Sequence, residues 1–154
     1  CYGMQMAVIE YARNMLKLDD ANSTEVNPNT KNPVIDLMEE QKNITEKGGT
    51  MRLGAWKCDI TRETLCHSVY KTENIEERHR HRYELNNKYL NQLEENGLVA
   101  SGKNKDTNLV EVVEVKDHPW FIGVQYHPEY KSTVLSPHPL FVSFVSAAIL
   151  NKNK

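Results

Sequence analysis

The chain has 154 residues, of which 39% are hydrophobic and 26% are charged, and this balance fits one globular domain with a sizeable core. A formal net charge of −2 gives no overall attraction to nucleic acid or to an anionic membrane surface, and no apolar run approaches the roughly 20 residues of a membrane span. Three cysteines without a CxxC spacing argue against a disulfide framework and a zinc site, and they fit a reducing, cytoplasmic setting.

The first predicted element is a helix that begins within a turn of Cys1. Apolar residues recur at helical spacing from Met4 to Met15. Residues 19–47 are polar and are interrupted by prolines, which predicts a long surface excursion with one strand-like island, PVIDLM. A strand is expected around MRLGAWKCDI, directly after a Gly-Gly turn.

The second half of the chain predicts two helices and two further strands. The stretch NNKYLNQLEENG is typical of a helix that is capped by Asn86 or Asn87 and ended by Gly97. LVEVVEV alternates in polarity, and WFIGVQY is almost continuously apolar, so both predict strands. Pro139 opens a helix, PLFVSFVSAAIL, that carries one apolar stripe. Together the elements predict a mixed α/β fold.

A histidine and a glutamate follow the most apolar strand, in the stretch VQYHPEY. His127 and Glu129 are two residues apart, so in an extended segment their side chains project to the same side. A carboxylate bonded to one imidazole nitrogen fixes the tautomer and leaves the other nitrogen to exchange a proton with a nucleophile. The alternative is a surface histidine beside a solvated glutamate, and a lone HxE pattern favours that alternative.

The opening residues, CYG, match the second half of a nucleophile elbow, the sharp turn that exposes a nucleophile between a strand and a helix. At the start of the predicted helix, the helix dipole and a nearby imidazolium would favour the thiolate of Cys1, and the N–H of Tyr2 would face a developing oxyanion. Cys1, His127 and Glu129 are therefore a candidate triad. Two alternatives remain open: an inert thiol, and an N-terminal nucleophile that uses its own α-amino group as base.

CYGMQ and QYHPE together resemble the class I, triad-type glutamine amidotransferases, which release ammonia from glutamine through a cysteinyl thioester. Further stretches are similar to the CTP synthase family: ANSTE at 21–25, GGTMRLG at 48–54, ERHRHRYELNN at 77–87 and DHPWF at 117–121. The resemblance covers essentially the whole chain. It implies the fold of those amidotransferases, an open mixed α/β sheet flanked by helices, incomplete at its N-terminal side.

The resemblance also implies roles for single residues. The nucleophile, base and orienter fall on Cys1, His127 and Glu129, and the glutamine contacts fall on Tyr2, Gly3, Met4, Gln5, Glu25 and Arg82. We expect Glu25 to hold the substrate ammonium and Arg82 to lie by its amino-acid end, because a carboxylate and a guanidinium suit a zwitterion. Without the resemblance, the alternating arginines of RHRHR predict a solvated edge or an anion-binding patch.

By the same resemblance, residues 1–154 are expected to be the C-terminal part of a glutaminase domain that is cut at its nucleophile. No cofactor or metal is expected on the chain, whereas ATP and Mg²⁺ are implied for a synthetase domain that it lacks, and a cytoplasmic homotetramer is implied for the whole enzyme. Two hypotheses follow: part of an active, ammonia-supplying CTP synthase, or a catalytically inactive structural fragment. The isolated chain is expected to be nearly inactive, because the family's second oxyanion donor is missing and one such donor is worth about 10²–10³ in rate.

Overall fold

The computed structural model describes residues 1–37 and 51–152 of the chain. Its helices are α1 (Tyr2–Asn14), α2 (Leu65–Tyr70), α3 (Leu90–Glu95) and α4 (Pro139–Lys152). Its strands are β1 (Asn22–Ser23), β2 (Pro33–Asp36), β3 (Arg52–Ile60), β4 (Asn74–His81), β5 (Glu84–Leu85), β6 (Leu98–Lys103), β7 (Val110–Val115) and β8 (Ile122–Val124). Short 3₁₀ turns cover Asn87–Tyr89 and Pro128–Lys131. The Gly-Gly turn and residues 38–47 of the predicted excursion lie outside the described residues.

The strands form two sheets. Five of them make an antiparallel sheet in the order β4-β3-β6-β7-β8, and the other three make a small mixed sheet in the order β1-β2-β5. β3 and β4 pair along nearly their whole length, from Arg52 opposite His81 to Asp59 opposite Asn74. This arrangement confirms the mixed α/β class and brings the RHRHR segment beside MRLG.

The main core lies between α1, the small sheet and the inner strands of the large sheet. α1 contributes an apolar face at helical spacing that includes Met4, Val8 and Ala12, each at most 2% exposed. Val34 and Ile35 of β2 are fully buried in the same cluster. The strand predicted for the PVIDLM island is thus confirmed at Pro33–Asp36, whereas its predicted place on the surface is wrong, because the two β-branched residues pack under α1.

A second core cluster is built around Cys58, Cys66 and Tyr126, and Leu140 at the start of α4 joins it. The apolar stripe of α4 forms as predicted, but it points outward: Phe141, Phe144, Val145 and Ile149 are 41% to 57% exposed. Only the first turn of α4 is anchored in this core. Within residues 1–37 and 51–152, no helix has the length and apolar character that crossing a bilayer requires.

Sequence patterns missed or misplaced several elements. β8 covers only three residues of the predicted WFIGVQY strand. β6, with the sequence LVASGK, was not predicted, because its small and polar residues lack a clear alternation of apolar side chains. Gly102 in β6 has a packing reason, since an added Cβ would lie 2.7 Å from Val112 Cγ2 and 2.8 Å from Cys58 Sγ.

Candidate active site

Cys1 lies directly before α1 and is held against the end of β8. Its main-chain nitrogen donates to the Val124 carbonyl at 2.6 Å, and its carbonyl accepts from the N–H of Gln5 as the helix begins. The N–H groups of a first helical turn, that of Tyr2 among them, have no acceptor within the helix. The Cys1 thiol therefore lies at the N-terminal end of α1, beside main-chain N–H groups without a partner inside the helix. The nucleophile-elbow interpretation predicts this position.

Gly123 lies in β8 where α1 and β7 both approach the strand. A Cβ added there would lie 3.0 Å from Val113 Cγ2 and 3.4 Å from the Met4 side chain. Because this position carries no side chain, Met4 can rest directly on the strand. The short helix-to-strand distance fixes Cys1 beside the segment that follows β8.

His127 and Glu129 form a hydrogen-bonded pair on that segment. His127 Nδ1 lies 2.7 Å from Glu129 Oε1, and the main-chain N–H of His127 donates to the Arg78 carbonyl at 2.8 Å. The other ring nitrogen, Nε2, is buried and has no hydrogen-bond partner among the described residues. The ring also stacks on Tyr130, with 5.2 Å between the two centroids. One nitrogen is thus held by a carboxylate while the second is left for another group.

The local backbone explains this pairing. Pro128 opens the 3₁₀ turn Pro128–Lys131, which brings the glutamate back toward the imidazole instead of leaving the segment extended. Burial alone would raise the pKa of Glu129, but the hydrogen bond with His127 and the positive charges nearby outweigh burial and hold that pKa below its usual value. The carboxylate is therefore ionised at neutral pH and suited to accept from Nδ1.

A pocket of about 220 Å³ opens beside Cys1. Its lining contains Cys1, Tyr2, Gln5, Glu25, Met51, Arg80, His81, Arg82 and Tyr83. Five of the predicted site residues thus share one pocket. The other four, Gly3, Met4, His127 and Glu129, do not line it, and Met4 is a core residue at 2% exposure. The roles assigned to all of these residues stay predictions.

Two glutamines connect the pocket to Cys1, and sequence reasoning gave one of them no role. Gln125 is fully buried, and its Nε2 lies 3.7 Å from Cys1 Sγ and 3.4 Å from the Tyr83 carbonyl. Gln5 Nε2 donates to the same carbonyl at 2.9 Å. The signal that could have found Gln125 is strand alternation, which places it on the same side as His127.

β4 confirms the predicted alternation of the RHRHR segment only in part. Arg78 and Arg80 are exposed, while His79 and His81 are buried. The strand ends at His81, so Arg82 lies in the bend toward β5 and not on the strand face shared by the other two arginines. This difference brings Arg82 to the pocket. In the described part of the chain, no three His, Cys, Asp or Glu side chains are grouped to hold a metal ion.

Comparison with known proteins gives consistent results. The CTP synthase of Flavobacterium psychrophilum is 68% identical over 154 residues, which are 100% of this chain and 29% of that protein. The CTP synthase of Pelobacter propionicus is 58% identical over 153 residues, 99% of this chain and 29% of that protein. The chain therefore spans less than a third of the length of these curated relatives.

A solved structure described as Trypanosoma brucei CTPS, glutaminase domain with bound acivicin, is 38% identical to this chain. The two superpose with a TM-score of 0.88 over 96% of this chain and 57% of that one. The resemblance to the CTP synthase family is thus confirmed for both sequence and fold. A family model for glutamine amidotransferase class-I matches residues 1–147, and the chain accordingly belongs to the class I glutamine amidotransferase family.

Proposed function

We propose that this chain is the glutaminase part of a CTP synthase, which hydrolyses glutamine at Cys1 and supplies ammonia for the ATP-dependent amination of UTP to CTP. One observation carries the proposal. Gln125, two residues before His127, lies 3.7 Å from Cys1 Sγ, which supports a common site for the thiol and the His127–Glu129 pair. The names of the relatives support the nature of the product.

In the first half-reaction, His127 accepts the thiol proton of Cys1 at Nε2, the buried nitrogen that lacks a partner among the described residues. The sulfur attacks the side-chain amide carbon of glutamine, and a C–S bond forms. The amide oxygen becomes an oxyanion opposite the N–H of Tyr2. His127 then returns the proton to the departing nitrogen, the C–N bond breaks, and ammonia leaves behind a thioester.

In the second half-reaction, water attacks the thioester while His127 takes one of its protons. The C–S bond breaks, glutamate leaves, and the proton returns to the sulfur. Glu129 stays ionised throughout, because its role is to hold Nδ1 and to stabilise the imidazolium.

The pocket suits a zwitterionic amino acid. Glu25 and Arg82 line it together, so a carboxylate is available for the α-ammonium group of glutamine and a guanidinium for its amino-acid end. The substrate side chain would then extend toward Cys1 in the same pocket. We propose as further partners a synthetase domain of the same protein, which uses ATP and Mg²⁺, and a homotetrameric assembly.

The test is glutamine hydrolysis by the protein that carries this chain. Ammonia release should fall by about 10³-fold or more in Cys1→Ser and in His127→Asn, and by about 10²–10⁴-fold in Glu129→Gln. Each change removes one member of the proposed triad, and the three members act as a unit. Glu10→Gln is the control, since Glu10 lies exposed on α1 and bonds only to Asn14 nearby. Near-normal hydrolysis by Cys1→Ser would overturn the proposal.

A further inference from the structure

Behind the pocket, five ionisable side chains form a closed set that the proposed reaction does not use. This buried ring consists of Arg52, His79, His81, Glu84 and Glu111, all at most 6% exposed. Such groups rarely lie fully buried, because each must replace the hydration that it loses. A buried ion pair is weak evidence for stability by itself, so the ring calls for another explanation.

Three hydrogen bonds hold the ring together. Arg52 donates from Nη1 to Glu84 Oε1 at 3.2 Å and from Nη2 to Glu111 Oε1 at 2.7 Å. His79 Nδ1 and His81 Nε2 are 2.7 Å apart. The two remaining contacts, 3.6 Å between His79 Nε2 and Glu111 Oε2 and 3.3 Å between His81 Nδ1 and Glu84 Oε1, bring the histidines beside the carboxyl groups without a hydrogen bond.

The charges of the ring fix where its protons lie. Burial raises the pKa of Glu84 to about 8, whereas burial lowers the pKa of His79 to about 3 and that of His81 to about 2. Burial raises the pKa of Glu111 as well, against the opposing effect of the Arg52 charge and hydrogen bond. Near neutral pH the ring therefore combines the Arg52 guanidinium, two neutral imidazoles and two carboxyl groups, of which Glu84 keeps its proton up to about pH 8.

The ring also determines the position of one wall of the pocket. His81 ends β4 and Glu84 begins β5, so both ends of the intervening bend, Arg82 and Tyr83, are attached to ring members. Both bend residues line the pocket. The Tyr83 carbonyl accepts from Gln5 and Gln125, and Gln125 reaches Cys1 Sγ. A shift of the ring would therefore move both the substrate wall and the groups beside the thiol.

We propose that the buried ring holds the bend of Arg82 and Tyr83 in place, and that Glu84 is thereby a positioning residue for glutamine binding. This inference rests on the proposed glutaminase function. Glu84 touches neither the substrate nor Cys1, so it acts only through the bend.

Ionisation of Glu84 should loosen this wall. The groups that face Glu84 are Arg52 from β3, Glu111 from β7 and His81 from β4. When Glu84 loses its proton, a second negative charge is buried beside Glu111, and both carboxylates compete for the single Arg52 guanidinium. The KM for glutamine should therefore rise as the pH passes through about 8.

The test compares the KM and kcat for glutamine of Glu84→Ala and Glu84→Gln in the protein that carries this chain. Glu84→Ala should raise the KM by about 10- to 100-fold, because misplaced binding groups cost that much, with a smaller effect on kcat. Glu84→Gln keeps the size of the side chain and stays neutral at every pH, and its amide oxygen in the place of Oε1 can still accept from Arg52. It should hold the KM within about threefold and should not show the rise at alkaline pH.

The matched control is Glu114→Ala. Glu114 is also a buried glutamate, but it accepts from the N–H groups of Leu65 and Cys66 at the start of α2, away from the pocket. This variant should lose stability without a change in the glutamine KM. If both alanine variants raise the KM by the same factor, the cause is a general loss of stability, and the inference is wrong.

Different results would contradict the positioning role of Glu84 and the proposed glutaminase function. An active Cys1→Ser variant contradicts the function, whereas a Cys1-dependent enzyme in which Glu84→Ala keeps its KM contradicts only the positioning role. If Glu84→Ala does not fold, Glu84→Gln decides: an alkaline rise in KM equal to that of the parent would overturn the proposal.

Discussion

The three thiols of the chain lie in different surroundings. Cys58 and Cys66 are 1% and 0% exposed within the second core cluster, and burial raises the pKa of both, that of Cys66 to about 12. Cys1 is partly exposed, lines the pocket and stands at the start of α1. Reactivity follows the thiolate and its access, so these cysteines should differ sharply as nucleophiles.

This contrast predicts selective alkylation. Iodoacetamide at neutral pH should label Cys1 alone in the folded protein, and saturating glutamine should slow the labelling because the substrate covers the thiol. Peptide mapping by mass spectrometry measures the site and the rate. Cys58 and Cys66 are internal controls, since both should become labelled only after denaturation. Equal labelling of the three thiols in the folded protein would contradict the assignment.

Single residues also show what the sequence could not reveal. The HxE spacing predicts that His127 and Glu129 lie together, but the expected extended segment is a 3₁₀ turn, and this turn is what returns the carboxylate to the imidazole. The buried ring has no such signal: Arg52, Glu84 and Glu111 come from three strands that only the sheet pairing brings together. Pattern reasoning found alternation in RHRHR, but the carboxylates that face its histidines come from elsewhere in the chain.

At the level of elements, long periodic segments were predictable and short ones were not. α1 follows from apolar residues at a spacing of 3.6, and the helix after Asn86 follows from its cap and from Gly97, whose φ is +99°. β8 has three residues, and its position depends on pairing with β7. A strand that short is determined by its neighbours, and its sequence alone carries too few residues to show a period.

The α1–β8 contact can be tested at Gly123. Gly123→Ala places a Cβ 3.0 Å from Val113 Cγ2 on β7 and 3.4 Å from Met4 on α1, so Val113 must shift by a few tenths of an ångström and Met4 is crowded. We expect a loss of about 1–3 kcal/mol in the free energy of unfolding, as for other overpacked sites, and a lower kcat for glutamine if the crowding displaces the first turn of α1 and Cys1 with it. Denaturant titration and a glutaminase assay measure the two effects.

Gly3→Ala is the matched control for stability. Gly3 lies in α1 with nothing within 4 Å of an added Cβ, so the change should stabilise the helix by about 0.5–1 kcal/mol. Equal stability of Gly123→Ala and the parent would show that the glycine is not required for the helix to rest on the strand.

For the molecule as a whole, the buried ring makes stability depend on pH in two opposite directions. The pKa of Glu84 is about 8 in the folded state, compared with its ordinary value of 4.5 in the unfolded chain. Glu84 therefore contributes stability that is full below pH 4.5 and is lost as the pH rises through about 8. The histidines resist protonation when folded. Their contribution is full above the ordinary value of 6.5 and is lost as the pH falls toward about 3.

Glu84 therefore predicts a difference between the parent and Glu84→Gln. From about pH 4.5 to about pH 8, the free energy of unfolding of the parent should fall relative to that of the variant by about 1.4 kcal/mol per pH unit. Glu84→Gln should lack this decline, whereas Glu114→Ala, less stable overall, should keep it. Denaturant unfolding at a series of pH values measures the slopes. An identical alkaline slope in Glu84→Gln and the parent would contradict the assigned protonation of the ring.

The central claim is that Cys1 is a dedicated glutaminase nucleophile that serves a separate amination site. The most direct test is CTP formation by Cys1→Ala, in the protein that carries this chain, with glutamine or with free ammonia as the nitrogen source. We predict that glutamine-dependent formation is abolished while ammonia-dependent formation stays at the parent's rate, because free ammonia bypasses the thiol. Equal loss of both activities, or undiminished use of glutamine, would contradict the account.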